Sequence, residues 1–322
     1  MANLPVKSLK YLAEGFIDYA GMFPPASLDL RTAFQNYIKY LEGPYSWMLS
    51  KFICPANKLS ELSVILKDIK DIKHRIHMSI LGQSNENSVK FINSIKEDIS
   101  GISLFYNENS HAADIDVFEI PLPADTSKEP DTHRIRGLVN DVSGLFESSL
   151  NFNMKYFYEY APNPNLPLVI KALWYHNKGS RVAGYKLRTG GTDASSFPTQ
   201  EDIAHAIKTC REYEVPMKCT AGLHHAISHY DDSVKTRMTG FLNLFGAAIM
   251  EHCHNTTEEV LSAIIRDENP EDFTFTDNAF KWKNLLIMAS EVERGRKELM
   301  ISFGSCSFDE PIEYLKKMNL LK

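Results

Sequence analysis

Eight short β-rich segments alternate with helical segments along this 322-residue chain, and this alternation constrains the fold more than any other feature. An alternating βα pattern predicts a parallel sheet, and eight such units favour a closed (β/α)8 barrel of the TIM type. The candidate strands are Gly15–Ala20, Trp47–Cys54, Arg75–Leu81, Val117–Leu122, Lys155–Tyr160, Val182–Thr189, Met217–Ala221 and Leu299–Phe303.

The segments between these strands have the apolar periodicity of helices. In Thr199–Tyr213, Thr199 and Asp202 stand at the spacing of a capping box. An open, doubly wound sheet is the main alternative fold, but the turn after strand one, residues 19–25, lacks a glycine-rich phosphate-binding fingerprint. The other predicted helices are Leu30–Leu41, Lys58–Ile69, Ser88–Ile99, Pro164–Lys178 and Pro311–Met318.

We predict one domain over residues 1–322, because no linker, repeat or low-complexity tract divides the chain. Two regions are predicted to add segments to the eight βα units of a plain barrel. Polar, turn-rich insertions are expected around strand four, at 100–116 and 123–136. Before strand eight, residues 255–298 predict an extra helix, a β-hairpin at Phe273–Lys283 and another helix.

Composition excludes several classes of partner. A net charge of -6 without a basic stripe argues against nucleic acid. No apolar run approaches the roughly 20 residues of a membrane helix, and the N-terminus lacks the apolar core of a signal peptide. The five cysteines are scattered, as expected for reduced thiols in the cytoplasm. The expected partner is a small-molecule substrate, no cofactor is indicated, and a homo-oligomer remains open.

Strand alternation predicts an unusually polar barrel interior. One face of each strand must be apolar to meet the helices, and this requirement turns the other face inward. A barrel interior is ordinarily filled by Val, Ile and Leu, and unpaired buried charges are costly, so these charges predict a functional site. The predicted inward charged residues are Asp18, Lys51, Glu119, Glu159, Lys186, Arg188 and Lys218, with Gly184, His77, Ser79, Thr220 and Ser302 on the same face.

Three consecutive strands end in small, glycine-bearing turns: Thr189–Gly191, Thr220–Gly222 and Phe303–Ser305. Glycine allows backbone N–H groups to approach an anion, and the loops after strands seven and eight form the usual phosphate site of the fold. We therefore predict that a phosphate or carboxylate is bound there. The predicted anion-binding residues are Lys51, Arg188, Thr189, Gly190, Gly191, Thr220, Gly222, His224, His225, Gly304 and Ser305.

Histidines and one cysteine near these turns could also carry chemistry. His224 and His225 are adjacent and point oppositely if extended, while His225 and His229 could share a helix face without an acidic partner. We therefore predict acid–base or substrate contacts rather than a metal site. Cys306 could have a depressed pKa near a helix N-terminus, although a small turn residue explains it equally simply.

Lys186 and Lys218 suggest the chemistry of the site. A lysine becomes nucleophilic when burial or a neighbouring cation lowers its pKa, and Lys186 is expected to experience both. It could form a Schiff base, with Glu159, Glu119 and Asp18 completing the catalytic group. The runs from Tyr185 to Gly191 and from Lys218 to Gly222 resemble the sixth and seventh strands of class I aldolases of the deoxyribose-phosphate type.

That resemblance implies a barrel enzyme in which Lys186 is the Schiff-base lysine and Lys218 is the second lysine. Arg188 departs from the family, which has a small hydroxyl residue there, and could bind a carboxylate instead. The segments AGMFPPAS, KLRTGG, TAGLHH and GSCSFDEP resemble those of a family of bacterial (β/α)8-barrel proteins with no assigned activity.

We interpret the chain as a lyase or related enzyme acting on a small anionic carbonyl compound. Two alternatives remain. A phosphoribosyltransferase of the barrel type would require magnesium and form no covalent intermediate, although the N-terminal domain of that family has no counterpart here. A non-catalytic barrel that only binds a small molecule would keep the same pocket.

Overall fold

The computed structural model describes residues 5–69, 72–83, 85–128, 130–179, 182–191 and 193–322. Its centre is a closed barrel of eight parallel strands. Each predicted strand is present within a few residues, so the predicted fold class is confirmed. The strands are β1 (Ile17–Tyr19), β2 (Leu49–Pro55), β3 (Ile76–Leu81), β4 (Ala113–Pro121), β5 (Lys155–Glu159), β6 (Ala183–Arg188), β7 (Met217–Thr220) and β8 (Met300–Ser305).

The strands follow one another around the barrel in chain order, and β1 closes the ring by pairing with β8. The register brings charged residues to one level: Glu159 is opposite Lys186, and Lys186 is opposite Lys218. On the other side of the ring, Asp18 is opposite Gly304. The polar face of each strand therefore meets the others inside the barrel.

Helices surround the barrel and cover its outer face. Thr199 and Asp202 form the predicted capping box at the start of α8. The helices are α1 (Lys7–Ala13), α2 (Leu30–Leu41), α3 (Leu59–Asp68), α4 (Ser88–Asn109), α5 (Asp125–Lys128), α6 (Thr132–Ser149), α7 (Leu166–Asn177), α8 (Gln200–Glu212), α9 (Phe241–His254), α10 (Glu258–Arg266), α11 (Ala289–Glu298) and α12 (Asp309–Lys317). No helix of the described residues is long and apolar enough to cross a membrane.

The segments around β4 are more regular than their composition predicts. Residues 100–109 continue α4, and residues 113–116 already belong to β4. Beyond β4, the short helix α5 and the start of α6 occupy most of 123–136. Polar residues fill the solvent side of these elements, which explains why their sequence is typical of turns.

Before β8 the chain adds a small antiparallel sheet, here called the lateral sheet, between α10 and α11. The predicted hairpin is its first two strands, and Leu285–Met288 adds a third. A second, unpredicted hairpin, the rim hairpin, pairs His229–Asp231 with Thr236–Met238 after β7. The rim hairpin lies at the carboxyl ends of the strands and covers part of the barrel mouth.

The apolar core lies between the strands and the helices rather than inside the barrel. The ring of Phe303 on β8 packs edge-on against Phe16 and stacks on Phe241 of α9. The ring of Phe52 on β2 likewise packs against Phe34 of α2. Because the outer strand faces supply this core, the inner faces are free to carry polar side chains.

Candidate active site

A buried cluster of alternating charges occupies the barrel interior. Lys218 lies within it almost fully enclosed, with 1% of its side chain exposed. Its Nζ lies 2.7 Å from Asp18 Oδ2 and donates a second hydrogen bond to Glu119 Oε1. The hydroxyls of Ser302 and Ser79 donate to Asp18 and Glu119 in turn. Each buried charge is therefore paired, as burial in a low dielectric requires.

Lys186 extends this cluster toward the carboxyl ends of the strands. Its Nζ lies 2.9 Å from Glu119 Oε2 and 3.1 Å from Glu159 Oε2. Glu119 thus bridges Lys186 and Lys218, whereas Glu159 contacts Lys186 and keeps 19% of its side chain exposed. On the opposite wall, Lys51 Nζ approaches Asp18 at 3.9 Å. These six residues are called the ionic cluster below.

Charge pairing determines the protonation of the cluster. Burial opposes the charged form of Glu119, but Lys186 and Lys218 outweigh it and hold the pKa of that carboxyl well below its usual range. Burial likewise opposes the charged form of Asp18, yet Lys218 and Lys51 lower its pKa. Burial alone would lower the pKa of Lys186, but Glu119 and Glu159 outweigh burial and raise it. The expectation of a lowered pKa for Lys186 is therefore wrong.

An open cavity of about 760 Å³ lies directly above the ionic cluster, at the carboxyl ends of the strands. This rim cavity is where active sites of the fold are found. Lys186, Glu119 and Glu159 line it, whereas Lys218 and Asp18 lie below it. The other predicted site residues that line it are Arg188, Gly191, Thr220, Gly222, His224 and Gly304.

The strand register and Gly184 explain why Lys186 lines the cavity whereas Lys218 lies beneath it. Gly184 faces inward on β6, and a Cβ there would lie 2.4 Å from the ring of Phe157. That ring fills the space beneath the cavity, and Lys218 Nζ lies 5.8 Å from its centroid. Lys186 stands one inward position further along β6, so a ligand in the rim cavity can reach Lys186 while Lys218 remains enclosed.

The glycine-bearing turns pack tightly against each other. A Cβ on Gly190 would lie 2.8 Å from the Cα of Gly222, and Gly222 has a φ of +75°. Thr189 fastens the same two loops, since its hydroxyl donates to the carbonyls of Thr220 and Ala221. Gly190 and Thr189 do not line the cavity, so packing explains both residues.

Three further predicted anion-binding residues also lie outside the cavity lining. The Ser305 hydroxyl donates to the backbone carbonyl of Ser307. Lys51 Nζ donates to the hydroxyl of Ser50 beneath the cavity. His225 packs between His229 and Tyr314 rather than facing a ligand.

The histidines form a stack rather than a shared helix face. The rings of His225 and His229 lie 3.7 Å apart. His225 lies in the loop after β7, and His229 begins the rim hairpin. His225 Nε2 lies 2.6 Å from the Tyr314 hydroxyl. Burial, together with His229 and His224, lowers the pKa of His225 to about 4, so His225 is neutral at physiological pH. The prediction that His225 and His229 could share one face of a helix is wrong, because the chain forms the rim hairpin here.

His224, in contrast, reaches the cavity, and its Nδ1 lies 2.8 Å from Glu310 Oε2. His77 stands apart at the amino end of β3, half exposed and 3.0 Å from Asp116. Cys306 lines the cavity, but burial raises the pKa of its thiol. A depressed pKa for Cys306 is therefore wrong, because burial governs the thiol there.

Several residues that loops and the rim hairpin contribute to the cavity wall were not predicted from sequence. Phe23 and the cis Pro24–Pro25 pair come from the loop after β1. Phe197 comes from the loop after β6 and contacts the turn at Gly190. The rim hairpin supplies Asp231, Ser233, Val234 and Met238. These residues lie in loops or in the short rim hairpin, where no periodicity can show, although Phe23 stands three residues after the predicted end of strand one.

No group of three or more His, Cys, Asp or Glu side chains is placed to hold a metal ion in the part of the chain that the structure describes. No protein-family model and no curated protein sequence matches this chain. The solved structures that resemble it include an apo protein from Toxoplasma gondii ME49, provisionally assigned as a deoxyribose-phosphate aldolase. The two chains share 11% identity over 97% of each, with a TM-score of 0.49. The barrel topology itself carries the fold assignment.

Proposed function

We propose that this protein is an enzyme that forms a Schiff base between Lys186 and a small anionic carbonyl compound. The observation that carries this proposal is the position of Lys186 Nζ. It lies at the floor of the rim cavity, within 3.1 Å of two carboxylates. A buried amine beside a carboxylate that can take its proton can become a nucleophile, and Lys186 keeps only 5% of its side chain exposed.

The raised pKa of Lys186 requires a proton transfer before attack. Glu159 is the best acceptor, because it contacts Lys186 and reaches the cavity, while Glu119 is bound to Lys218 as well. The neutral amine then attacks the carbonyl carbon. The carbonyl oxygen leaves as water with one proton returned by Glu159 and the other from the amine. An ammonium and a carbonyl thus become a protonated imine and water.

The protonated imine is an electron sink. It can accept the electron pair of a neighbouring carbon–carbon or carbon–hydrogen bond, which is the chemistry of a lyase of the aldolase type. Lys218 and Asp18 remain beneath the cavity, where Lys218 holds the bridging carboxylate of Glu119 in place. In this scheme Glu159 handles the proton, and Lys218 and Asp18 act as positioning residues.

Borohydride trapping tests the proposal. Incubation with small keto or aldehyde compounds and borohydride should add mass to the peptide that contains Lys186. Lys186→Arg should abolish labelling while keeping the positive charge that pairs Glu119 and Glu159. Lys155→Met is the control, because Lys155 is exposed at the amino end of β5, away from Glu159 and the cavity. This variant should be labelled like the parent protein. Absence of labelling with every carbonyl compound, or equal labelling of Lys186→Arg, overturns the proposal.

A non-catalytic binding protein is the second candidate, and the complete pairing of Lys186 with carboxylates favours it. A stable ion-pair network keeps its lysine protonated, so it would hold a ligand without reacting with it. Tight binding of a carbonyl compound without labelling or turnover supports this candidate. Magnesium-dependent binding of phosphoribosyl pyrophosphate would instead support a phosphoribosyltransferase.

A further inference from the structure

We propose that the rim cavity selects an α-keto acid with an apolar side chain, whose carboxylate is bound by Arg188. This inference rests on the proposed function, because it takes Lys186 as the group that reacts with the keto carbon. It narrows the ligand from any small anionic carbonyl compound to one chemical class. Position, charge and the cavity wall each support this class over a sugar phosphate.

Lys186 and Arg188 stand two residues apart on the same inward face of β6. Such neighbours are separated by roughly 7 Å along a strand. Both side chains are long and flexible, so their ends can converge on adjacent atoms of one ligand. In an α-keto acid the carbonyl carbon and the carboxylate are directly bonded. One ligand can therefore meet both groups without bridging the cavity.

The guanidinium of Arg188 is available to a ligand. Its Nε donates to the carbonyl of Gly190 at 2.9 Å, which fixes the side chain at the cavity wall. Among the described residues, no carboxylate forms an ion pair with Arg188, unlike the lysines of the ionic cluster. A guanidinium forms paired hydrogen bonds with a carboxylate. The carboxylate of a ligand is the partner that the fold leaves open.

Charge balance favours one negative charge over two. The three carboxylates of the ionic cluster are matched by its three lysines. At the mouth, Arg188 and Asp231 add one charge of each sign to the cavity wall. A carboxylate pairs with Arg188 directly. A phosphate monoester carries about one further negative charge, which would face Asp231 and Glu159 without a second unpaired Lys or Arg among the described residues of the cavity wall.

The cavity wall is suited to an apolar substituent. Ile53 lies across from Gly304, where a Cβ would be 3.2 Å from its Cδ1. Polyhydroxylated sugars need hydrogen-bond partners for each buried hydroxyl, and the apolar part of this wall offers none. The apolar residues that line the cavity include Phe23, Pro24, Pro25, Ile53, Leu81, Phe197, Val234 and Met238.

The test compares four carbonyl probes by their rate of borohydride trapping at Lys186: phenylpyruvate, pyruvate, dihydroxyacetone phosphate and phenylacetone. Phenylpyruvate has both the carboxylate and the apolar group, and each other probe lacks at least one of them. We expect phenylpyruvate to be trapped at least about tenfold faster than each other probe at equal concentration. Binding of phenyllactate, which lacks the carbonyl, is measured separately by calorimetry.

Two variants test which residue binds the carboxylate of the ligand and which contacts its apolar group. Arg188→Gln should weaken phenyllactate binding by roughly ten- to a hundredfold, and Arg31→Gln, on the outer helix α2, should not. Val234→Asn should reduce the preference for phenylpyruvate over pyruvate. Val64→Asn, on the exposed side of α3, is its matched control.

The outcomes separate this inference from the proposed function. Faster trapping of dihydroxyacetone phosphate than of phenylpyruvate overturns the inference and supports the Schiff base. Phenyllactate binding that depends on Arg188, with no probe trapped, supports the ligand class and overturns the Schiff base. Phenyllactate binding that is unchanged in Arg188→Gln overturns the assignment of Arg188.

Discussion

At the scale of single residues, the pairing of charges in the ionic cluster affects both the stability of the fold and the protonation of Lys186. Lys218, Asp18 and Glu119 are each almost wholly enclosed, so the loss of one leaves its partners charged without compensation. Removing one partner of a buried ion pair costs roughly 3–5 kcal/mol. The same pairing keeps Lys186 protonated until a ligand arrives.

We expect Lys218→Met to lower the free energy of unfolding by about 3 kcal/mol or more, because Asp18 and Glu119 lose their shared cation. Urea unfolding followed by circular dichroism measures the change. Lys67→Met is the control, because Lys67 pairs with Glu108 on the surface, where 62% and 49% of the two side chains are exposed. A loss for Lys218→Met no larger than that of the control contradicts the importance of the pairing.

The pH dependence of stability follows from Glu119 and Asp18. Both carboxyls have pKa values that are lowered in the folded protein, so the stability that they contribute is present above their ordinary pKa values and is lost as the pH falls. We expect the free energy of unfolding to decrease by roughly 2 kcal/mol or more between about pH 5 and pH 3. Glu119→Gln should flatten this decrease, whereas Glu61→Gln, on the surface of α3, should leave it intact.

Proton transfer within the cluster gives a kinetic prediction. In the parent protein the trapping rate should be nearly independent of pH between about 7 and 9, because Glu159 takes the proton of Lys186 internally. In Glu159→Gln the amine must lose its proton to solvent, so trapping should be slow at neutral pH and increase with pH. The ratio of variant to parent rates corrects for borohydride decay. A ratio that does not change with pH removes Glu159 from this role.

The sequence predicted which residues face inward but not how they affect one another. Alternation along β4, β6 and β7 is enough to place Glu119, Lys186 and Lys218 in the interior. The direction of the Lys186 pKa depends on whether carboxylates or a second ammonium lie nearer. This is decided by the packing of side chains across the barrel, which brings both Glu119 and Glu159 to Lys186 Nζ.

At the scale of elements, the two ends of the barrel are built differently. The carboxyl end is open to the rim cavity, whereas Arg296 of α11 closes part of the amino end. Its buried guanidinium donates to the backbone carbonyls of Leu12, Glu14, Met300 and Ile301. One side chain thus joins α1, α11 and the start of β8.

We expect Arg296→Met to lower the free energy of unfolding by about 3 kcal/mol, since it leaves several buried carbonyls without donors. Arg294→Met, an exposed position two residues earlier on the same helix, is the control and should be nearly neutral. Chemical denaturation of both variants checks the difference. Equal stability of the two variants would show that Arg296 has no structural role.

Regular elements were predictable, whereas the walls of the site were not. Helix α2 was predicted to the residue, because its apolar stripe and its capping residue agree. The rim hairpin was missed, since its strands are three residues long and follow a cluster of histidines. Segments this short contain too few positions for a period to show.

At the scale of the whole molecule, we propose that the barrel and the region before β8 form one folding unit. Helix α11 packs on α1, and α10 packs on α8, so the lateral sheet is held between barrel helices. Trp282 in the lateral sheet is one of three tryptophans. With Trp47 and Trp174 replaced by Phe, the fluorescence of Trp282 should change together with the far-ultraviolet circular dichroism during unfolding. Separate midpoints would indicate two units.

The ionic cluster also marks a seam in the chain. Asp18, Lys51, Glu119 and Glu159 all precede β6, while Lys186 and Lys218 both follow β5. A cut between β5 and β6 would leave the segment with β1 to β5 with excess negative charge in the cluster and the segment with β6 to β8 with two unmatched lysines. Each segment thus supplies counter-ions for the other, so correct assembly of the two segments also completes the site.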